Sequence, residues 1–446
     1  MGLLKTFVLG GIHPPENKLS AGQPVRTLKV PDQVVVPMGQ NLGAPSKPVV
    51  KRGDKVKTGQ LIAEAGGFIS ARIHSPVSGT VFKIDQVMDM SGYRRTAVII
   101  KVDGDEWMED IDRSDTLVTE INFSPEEIIE KVKDAGIVGM GGATFPTHVK
   151  LMPPPGKSAD YLLINGVECE PYLTADHQLM LEKGAEIIVG TRLLMKALKV
   201  KKAVIGIENN KPDAIRQMTE LAAKEEGITV QPLKVKYPQG GEKQLIKAVT
   251  GREVPSGKLP VEVGCVVQNV GTTFAVYEAV MKNKPLIERV VTVTGKALSN
   301  PSNLKVRIGT PIKFLVEEAG GLPEDTGKVI GGGPMMGKAL ATLDVPVVKG
   351  TSGVLLMREA ESHRLPESPC IRCSKCTQVC PMGLEPFLLS RLSRMGRFED
   401  AEKEKVMDCI ECGSCQYTCP AHIPLLDYLR LGKNKVGALI RARSKK

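Results

Sequence analysis

Short apolar runs broken by Pro and Gly dominate the first hundred residues. Gln33–Pro37, Pro48–Lys51, Gly79–Lys83 and Thr96–Lys101 are rich in Val and Ile, and such runs between turn residues predict strands of a small barrel or sandwich over 31–102. A segment over 1–30 precedes them, and an acidic stretch from Asp103 to Asp112 opens a linker over 103–123. The period then changes. Ser124 is placed to cap a helix, with Pro125 at its first position and Glu127 completing a capping box. Ile128, Ile129 and Val132 supply the apolar face, and Gly136 ends the helix. Beyond it, apolar runs at Tyr161–Asn165, Lys202–Ile207 and Gly264–Gln268 alternate with helical periodicity over 177–198, 211–226 and 272–283. That alternation predicts an α/β domain over 124–284 with a largely parallel sheet. Residues 285–358 return to β-rich sequence around one helix, Pro311–Ala319, as in a small α+β module. From 359 to 446 short helices surround cysteine runs, with amphipathic periodicity from Leu384 to Lys405 and a basic tail.

The chain has 446 residues, 42% hydrophobic and 25% charged. This is globular composition, enough for several domains, and it excludes a disordered or fibrous chain. The net charge is +10, but there are only 1 Trp, 7 Tyr and 9 Phe. Single-strand nucleic-acid binders interleave aromatics with their basic residues, so no nucleic-acid partner is expected. No window reaches the ~18 consecutive apolar residues of a membrane helix. The stretch from Met1 has neither a signal-peptide apolar region nor a cleavage site, and Gly2 lacks the Ser or Thr of a myristoylation motif. The expectation is a cytoplasmic-side protein, soluble or peripheral to a membrane.

Eight of the 10 cysteines lie between Cys370 and Cys419. They form two runs, Cys370-x-x-Cys373-x-x-Cys376-x-x-x-Cys380-Pro and Cys409-x-x-Cys412-x-x-Cys415-x-x-x-Cys419-Pro. Three thiolates at this spacing converge from one loop onto three corners of an iron–sulfur cubane. In two-cluster ferredoxins the fourth ligand comes from the other run. That rule predicts Cys370, Cys373, Cys376 and Cys419 on one [4Fe-4S] cluster, and Cys380, Cys409, Cys412 and Cys415 on the second. Zinc, which prefers paired Cys-x-x-Cys ligands, is the weaker alternative. The helical sequence between the runs predicts a helical ferredoxin domain. Residues 361–446 hold 15 Lys+Arg against 10 Asp+Glu, so half of the positive excess surrounds groups that are anionic.

Two glycine-rich loops invite a phosphate reading. Gly136-Ile-Val-Gly139-Met-Gly141-Gly142-Ala-Thr-Phe145-Pro-Thr-His-Val-Lys150 combines close backbone approach with a lysine; a tight turn is the plainer alternative. Gly332-Gly-Pro-Met-Met-Gly337-Lys338 has Ala339 where a nucleotide loop needs Ser or Thr, and reads as a structural turn.

Taken together, these motifs resemble the C-subunit family of Rnf complexes, membrane-bound ferredoxin:NAD⁺ oxidoreductases that translocate ions. The opening Gly10-Gly-Ile-His-Pro-Pro-Glu-Asn-Lys18 is similar to that family's N-terminal signature. Gly53-Asp-x-Val56-x-x-Gly59-Gln60 and Ser75-Pro-x-x-Gly79-x-Val81 look like a lipoyl-type barrel. Glu64–Ser70, where a carrier barrel presents its lysine, contains none, which implies a structural or docking barrel. The α/β part resembles the flavin- and NADH-binding subunit of respiratory complex I. The resemblance assigns Gly139, Gly141, Gly142, Lys150, Asn165, Gly240, Asn269 and Thr272 to FMN, and Phe145, Glu168, Glu170 and Glu242 to NADH. Gly241 and Val167 stand where that family carries acidic residues. Residues 285–358 look like the β-grasp (SLBB) module that follows the flavin domain.

The implied protein is a peripheral subunit on the cytoplasmic side of the cell membrane. It would pass electrons between NAD(H), FMN and two [4Fe-4S] clusters, with membrane subunits and a ferredoxin-like subunit as partners. Flavin suits this task because it takes hydride and releases single electrons. Cobalamin reductases share the flavin loop and the paired runs, but they begin at the flavin segment. A non-catalytic relay, with the α/β domain as scaffold, is the other competing reading. Outside these sites His13 reads as a loop residue and Cys265 as core, while Cys169 is either a residue bordering the flavin or, more commonly for a free cysteine, a buried thiol.

Overall fold

The computed structural model describes residues 4–444. Met1–Leu3, the start read for targeting signals, and Lys445–Lys446, the end of the basic tail, lie outside the described residues. After a short strand β1 (Arg26–Thr27), seven strands build the barrel: β2 (Gln33–Pro37), β3 (Lys47–Pro48), β4 (Lys55–Val56), β5 (Leu61–Glu64), β6 (Ile73–His74), β7 (Gly79–Met88) and β8 (Arg94–Val102). They form two facing sheets, ordered β2-β8-β7-β4 and β3-β5-β6, with every pairing antiparallel. Val34, Val36, Ile62, Val81, Val98 and Ile100 fill the space between them. The run expected as a strand at Pro48–Lys51 pairs only at Lys47–Pro48, because the chain turns at Arg52 and Gly53 to start β4.

The acidic linker crosses to α1 (Pro125–Asp134), whose capping box between Ser124 and Glu127 is formed as expected. There follow α2 (Thr147–Lys150), β9 (Tyr161–Asn165), α3 (Ala175–Glu182), α4 (Gly184–Leu198), β10 (Ala203–Glu208), α5 (Pro212–Ala222), β11 (Ile228–Leu233), α6 (Glu242–Thr250), β12 (Cys265–Asn269) and α7 (Val270–Met281). The four strands lie in the order β11-β10-β9-β12, all parallel. Alternation along them sorts the core. Leu162, Ile164 and Val266 face α4 and α7, whereas Leu163, Cys265 and Val267 face α6. Cys265 is thus a core residue. The single helix expected over 177–198 is two, broken at Lys183. Gly184 opens the second, where a Cβ would lie 2.9 Å from Leu221 Cδ1 on α5. β11 and α6 are additions to the expected elements, and α6 buries an apolar face of Leu245, Ile246 and Val249.

The next module contains β13 (Glu288–Thr294), β14 (Ser302–Arg307), α8 (Ile312–Glu318), β15 (Thr326–Gly331), β16 (Lys338–Ala339) and β17 (Gly353–Arg358). Its sheet runs β1-β14-β13-β17-β15-β16. The N-terminal segment therefore supplies an edge strand to a module almost three hundred residues away, pairing Arg26 with Leu304.

The last unit comprises α9 (Glu359–Ser362), α10 (Lys375–Gln378), α11 (Pro386–Arg394), α12 (Phe398–Lys403), α13 (Ser414–Tyr417) and α14 (Leu425–Arg443). The continuous periodicity over Leu384–Lys405 breaks at Gly396, which has φ +72°. The expected basic tail is helix α14, seated on α11 and α12 through Leu425, Leu429 and Val436. Among the described residues no helix is long and apolar enough to cross a membrane.

Helices α4 and α7 touch so closely at Gly190 that a Cβ there would lie 2.3 Å from the Thr273 carbonyl oxygen. Gly190→Ala should cost about 1–3 kcal/mol through overpacking, read as a lower urea midpoint for the α/β domain. An unchanged midpoint would show that the two helices can part freely.

Candidate flavin crevice and cluster centre

Moving outward from β9, the chain places β10 and β11 on one side and returns to add β12 on the other. The loops leaving β9 and β12 diverge at their carboxyl ends, the place where open α/β sheets hold ligands. The last residues of these strands, Asn165 and Asn269, are paired in register. Asn269 caps α7, its Oδ1 accepting from Gly271 N and Thr272 N at 2.9 and 3.3 Å, and its Nδ2 donates to Asp176 at 2.6 Å. Asn165 Nδ2 donates to the Gly240 carbonyl at 2.9 Å. These bonds draw three segments around one opening.

The glycine loop closes the opening from above. Gly139 N donates to the Phe145 carbonyl at 2.9 Å, and Met140 N donates to Thr272 Oγ1 at 2.9 Å. A Cβ on Gly141 would lie 2.7 Å from Asn269 Nδ2, whereas one on Gly142 would meet nothing within 4 Å. The loop is thus pressed onto the floor at one glycine and open at the next. Lys150 Nζ bonds Glu242 at 2.7 Å and the Val267 carbonyl at 3.2 Å. The eight residues assigned to FMN come from the glycine loop, the ends of β9 and β12, the 240 turn, α2 and the start of α7, and the open backbone at Gly142 beside a half-buried lysine fits a flavin phosphate.

The acidic residues behave differently from one another. Glu168, held at φ +47°, accepts from Asp176 N and His177 N at 2.8 and 3.1 Å and so caps α3. Glu170 is half-buried, with its carboxylate pressed against the loop read as a structural turn. Met336 N donates to its Oε1 at 2.7 Å, while Oε2 has no partner. Burial lifts this carboxyl to about 7. Asp176 rises to about 7 through burial and the neighbouring Glu168. Both Glu168 and Glu170 are therefore engaged by protein groups, and Glu242 is the acidic residue facing Lys150. Lys18 fastens the whole segment, donating to the carbonyls of Glu168, Glu170 and Leu173 at 2.9, 3.0 and 2.7 Å. No sequence signal marks that role.

The two cysteine runs fold as copies of one loop. Arg372 and Ser374 in the first, and Glu411 and Gly413 in the second, occupy matching positions with φ of +55°, +60°, +58° and +77°. Each loop leads into a one-turn helix, α10 or α13. Cys380, Cys409, Cys412 and Cys415 line one cavity whose other walls include Leu384, Leu389, Leu426 and Leu429. Four sulfur donors around an apolar cavity fit a cubane, in the predicted crossed combination. Burial raises the Cys409 thiol to about 11 and Cys415 further, so a cluster held here would displace thiol protons. In the other set Cys376 and Cys419 are half-buried and interact electrostatically, while Cys370 and Cys373 are exposed.

The cavity is joined directly to the flavin side. Tyr237 Oη donates to the Cys412 carbonyl at 2.8 Å, and Gln244 Nε2 to the Pro381 carbonyl at 3.2 Å. Between them Gly11 N donates to Val379 O at 2.9 Å. Gly10, at φ +64°, approaches so closely that a Cβ would lie 2.6 Å from the Cys380 carbonyl. Cys169 borders this contact, half-buried, its sulfur accepting from Gly240 N at 3.3 Å.

Comparison with known proteins accounts for each part. Family models match residues 6–105 (RnfC barrel sandwich hybrid domain), 132–278 (Nuo51 FMN-binding domain), 290–339 (SLBB domain) and 364–420 (4Fe-4S dicluster domain). The chain is 47% identical, over 97% of its length and 94% of the relative's, to the C subunit of a proton-translocating ferredoxin:NAD(+) oxidoreductase complex of Clostridium ljungdahlii. It is 44% identical to the corresponding subunit of the Na(+)-translocating complex of Acetobacterium woodii, over 96% of both chains. The C subunit of the ion-translocating oxidoreductase complex of Rhodobacter capsulatus is 42% identical over 97% of this chain and 84% of its own. The chain belongs to the family of Rnf C subunits. It is an oxidoreductase subunit with an FMN-binding domain and a 4Fe-4S dicluster domain.

Cys380→Ala should lower the iron content from roughly eight to roughly four and remove the buried cluster's magnetic resonance signal, leaving the exposed cluster's. Cys419→Ala should do the reverse; loss of the same signal in both would break the crossed assignment. Glu170, protonated in the fold up to about pH 7, contributes fully below its unfolded value and loses that contribution as pH rises toward 7. Glu170→Gln should flatten this dependence by on the order of 1–3 kcal/mol, seen in urea unfolding at pH 5 and pH 8. Parallel curves for the two proteins would refute it.

Proposed function

We propose that this chain is the peripheral, cytoplasmic-side NAD(H)-reacting subunit of a membrane-bound, ion-translocating electron-transfer complex. It joins NAD(H) and FMN on one side to the buried cluster, then to the exposed cluster, and thence to the ferredoxin-like and membrane subunits. Bound FMN supplies the exchange between a two-electron hydride and single electrons. The chain's own work is positioning. Lys150 neutralises phosphate, Asn165, Asn269 and Thr272 hold the crevice floor, and Glu242 stands beside Lys150 for the nicotinamide substrate.

The observation that carries this reading is the Tyr237–Cys412 hydrogen bond of 2.8 Å. It ties the loop that receives Asn165 to a ligand of the buried cluster, with Ile12, Met335 and Cys169 packed around it. A scaffold without redox chemistry has no need of such a contact. Exposure of Cys370 and Cys373 supports the other cluster as the exit toward a partner.

NADH should bleach the flavin of the purified, cofactor-loaded protein and then reduce its clusters. Lys150→Ala should weaken FMN retention roughly 10- to 100-fold, the loss of a charge-assisted hydrogen bond, and slow reduction by NADH in step with flavin loss. The relay-only reading requires no bleaching and no effect of Lys150, so that result would replace the proposal.

A further inference from the structure

Residues 5–18 form a strap across the α/β domain, and their hydrogen bonds show what it ties together. Lys5 lies parallel to Leu233 of β11, and Lys234 N donates to the Lys5 carbonyl at 2.9 Å. Ile12 and Tyr237 exchange both backbone bonds, each of 2.9 Å. Tyr172 N donates to the Glu16 carbonyl at 2.8 Å, and Lys18 holds the 168–173 segment. Both ends of the strap are thus fixed to the α/β domain. Between them Gly11 N reaches the first cysteine run, donating to the Val379 carbonyl at 2.9 Å. The fit there leaves no room for a side chain. A Cβ on Gly10, at φ +64°, would lie 2.6 Å from both the carbonyl carbon and the oxygen of Cys380. One on Gly11, at φ +90°, would lie 2.5 Å from Lys236 Cε and 3.1 Å from the Tyr237 carbonyl oxygen. The two glycines are a wedge between the end of the first run and the loop that carries Tyr237.

The wedge closes a ring of contacts around the buried cysteine cavity. Cys380 is the one member of that set from the first run, whereas Cys409, Cys412 and Cys415 come from the second. A ligand set drawn from two loops keeps its shape only as well as the groups that hold the loops together. From Cys380 the contacts pass to Gly10 and Gly11, cross the Ile12–Tyr237 pair, and return through Tyr237 Oη to the Cys412 carbonyl at 2.8 Å. From α6, Gln244 Nε2 holds the same end of the first run at the Pro381 carbonyl. Among the described residues no hydrogen bond joins the strap to Cys370, Cys373, Cys376 or Cys419. The brace serves one cysteine set alone.

We propose that Gly10, Gly11 and Ile12 are positioning residues for electron transfer: the wedge holds Cys380 in register with Cys409, Cys412 and Cys415, and so seats the buried cluster against the flavin side. This rests on the crossed ligation and electron route given above. The test compares Gly10→Ala with Gly22→Ala in the full-length, cofactor-loaded protein. Gly22 has φ +74°, so both changes strain the backbone alike, but a Cβ at Gly22 meets nothing within 4 Å. After reduction by dithionite, Gly10→Ala should lack the buried cluster's magnetic resonance signal, and its iron should fall from roughly eight to roughly four. The exposed cluster's signal and the FMN content should persist, and Gly22→Ala should lose neither cluster. Full iron with both signals in Gly10→Ala, or equal losses in the two variants, would overturn the role. Where Gly10→Ala does not accumulate as folded protein, Tyr237→Phe decides, because it removes only the hydroxyl that closes the ring. It should shift the buried cluster's signal and leave the exposed cluster's signal and the FMN content unchanged; two unshifted signals, or equal shifts in both, would overturn the role as well. Dithionite reaches the clusters without NADH, so these readouts stand apart from flavin bleaching. Wild-type protein that holds both clusters yet does not bleach with NADH would overturn the electron route instead.

Discussion

A parallel sheet that adds its last strand on the far side of its first leaves two loops diverging, and the residues assigned to the flavin gather at that gap. The divergence exposes helix N-termini whose N–H groups must be satisfied. The chain meets this need with side chains rather than water. Asn269 caps α7, and Glu168 caps α3. Those caps leave a polar floor in an otherwise apolar α/β core, with Asn165 and Asn269 side by side at its centre. The glycine loop can settle on this floor only because Gly141 has no Cβ to strike Asn269.

Rigidity at the gap comes from the neighbouring modules. Lys349, fully buried, donates to the carbonyls of Arg72 and Gly136 at 2.7 Å each, and its own N–H bonds Gln40 at 3.0 Å. One side chain thus clasps the barrel, the start of the glycine loop and the β-grasp module. Desolvation lowers its amine to about 7. On the opposite flank, the Gly332–Gly337 turn grips Glu170 and accepts a hydrogen bond from Arg430 of α14 at 2.9 Å. The β-grasp module thus touches both the α/β domain and the cysteine-bearing unit.

Much of this was legible beforehand. Ser124–Glu127, the strands at Tyr161–Asn165 and Gly264–Gln268, and the two cysteine runs rest on local rules of capping, alternation and ligand spacing. The flavin residues came from motif resemblance, and they converge in space. β11 is too short and too mixed to show a period, α14 hid behind its positive charges, and α6 was passed over although it buries an apolar face of Leu245, Ile246 and Val249. The glycine turn at 332–337 failed its nucleotide test, yet its Gly333 is where Glu170 packs. Lys18, Tyr237 and Lys349 act on backbone carbonyls, and a carbonyl partner leaves no mark on sequence.

The sequence by itself therefore determined the chemistry: eight thiolates in two repeated loops, a glycine cradle with its lysine, and a barrel without a carrier lysine. Tertiary structure alone decided the arrangement. It set which cysteine loop packs against Tyr237 and which carboxylates are spent on caps and turns. The reason is range. Caps, periods and ligand spacings act within a few residues, whereas the contacts of Gly10 with Cys380 and of Leu42 with Thr144 join segments whose meeting only the folded core enforces.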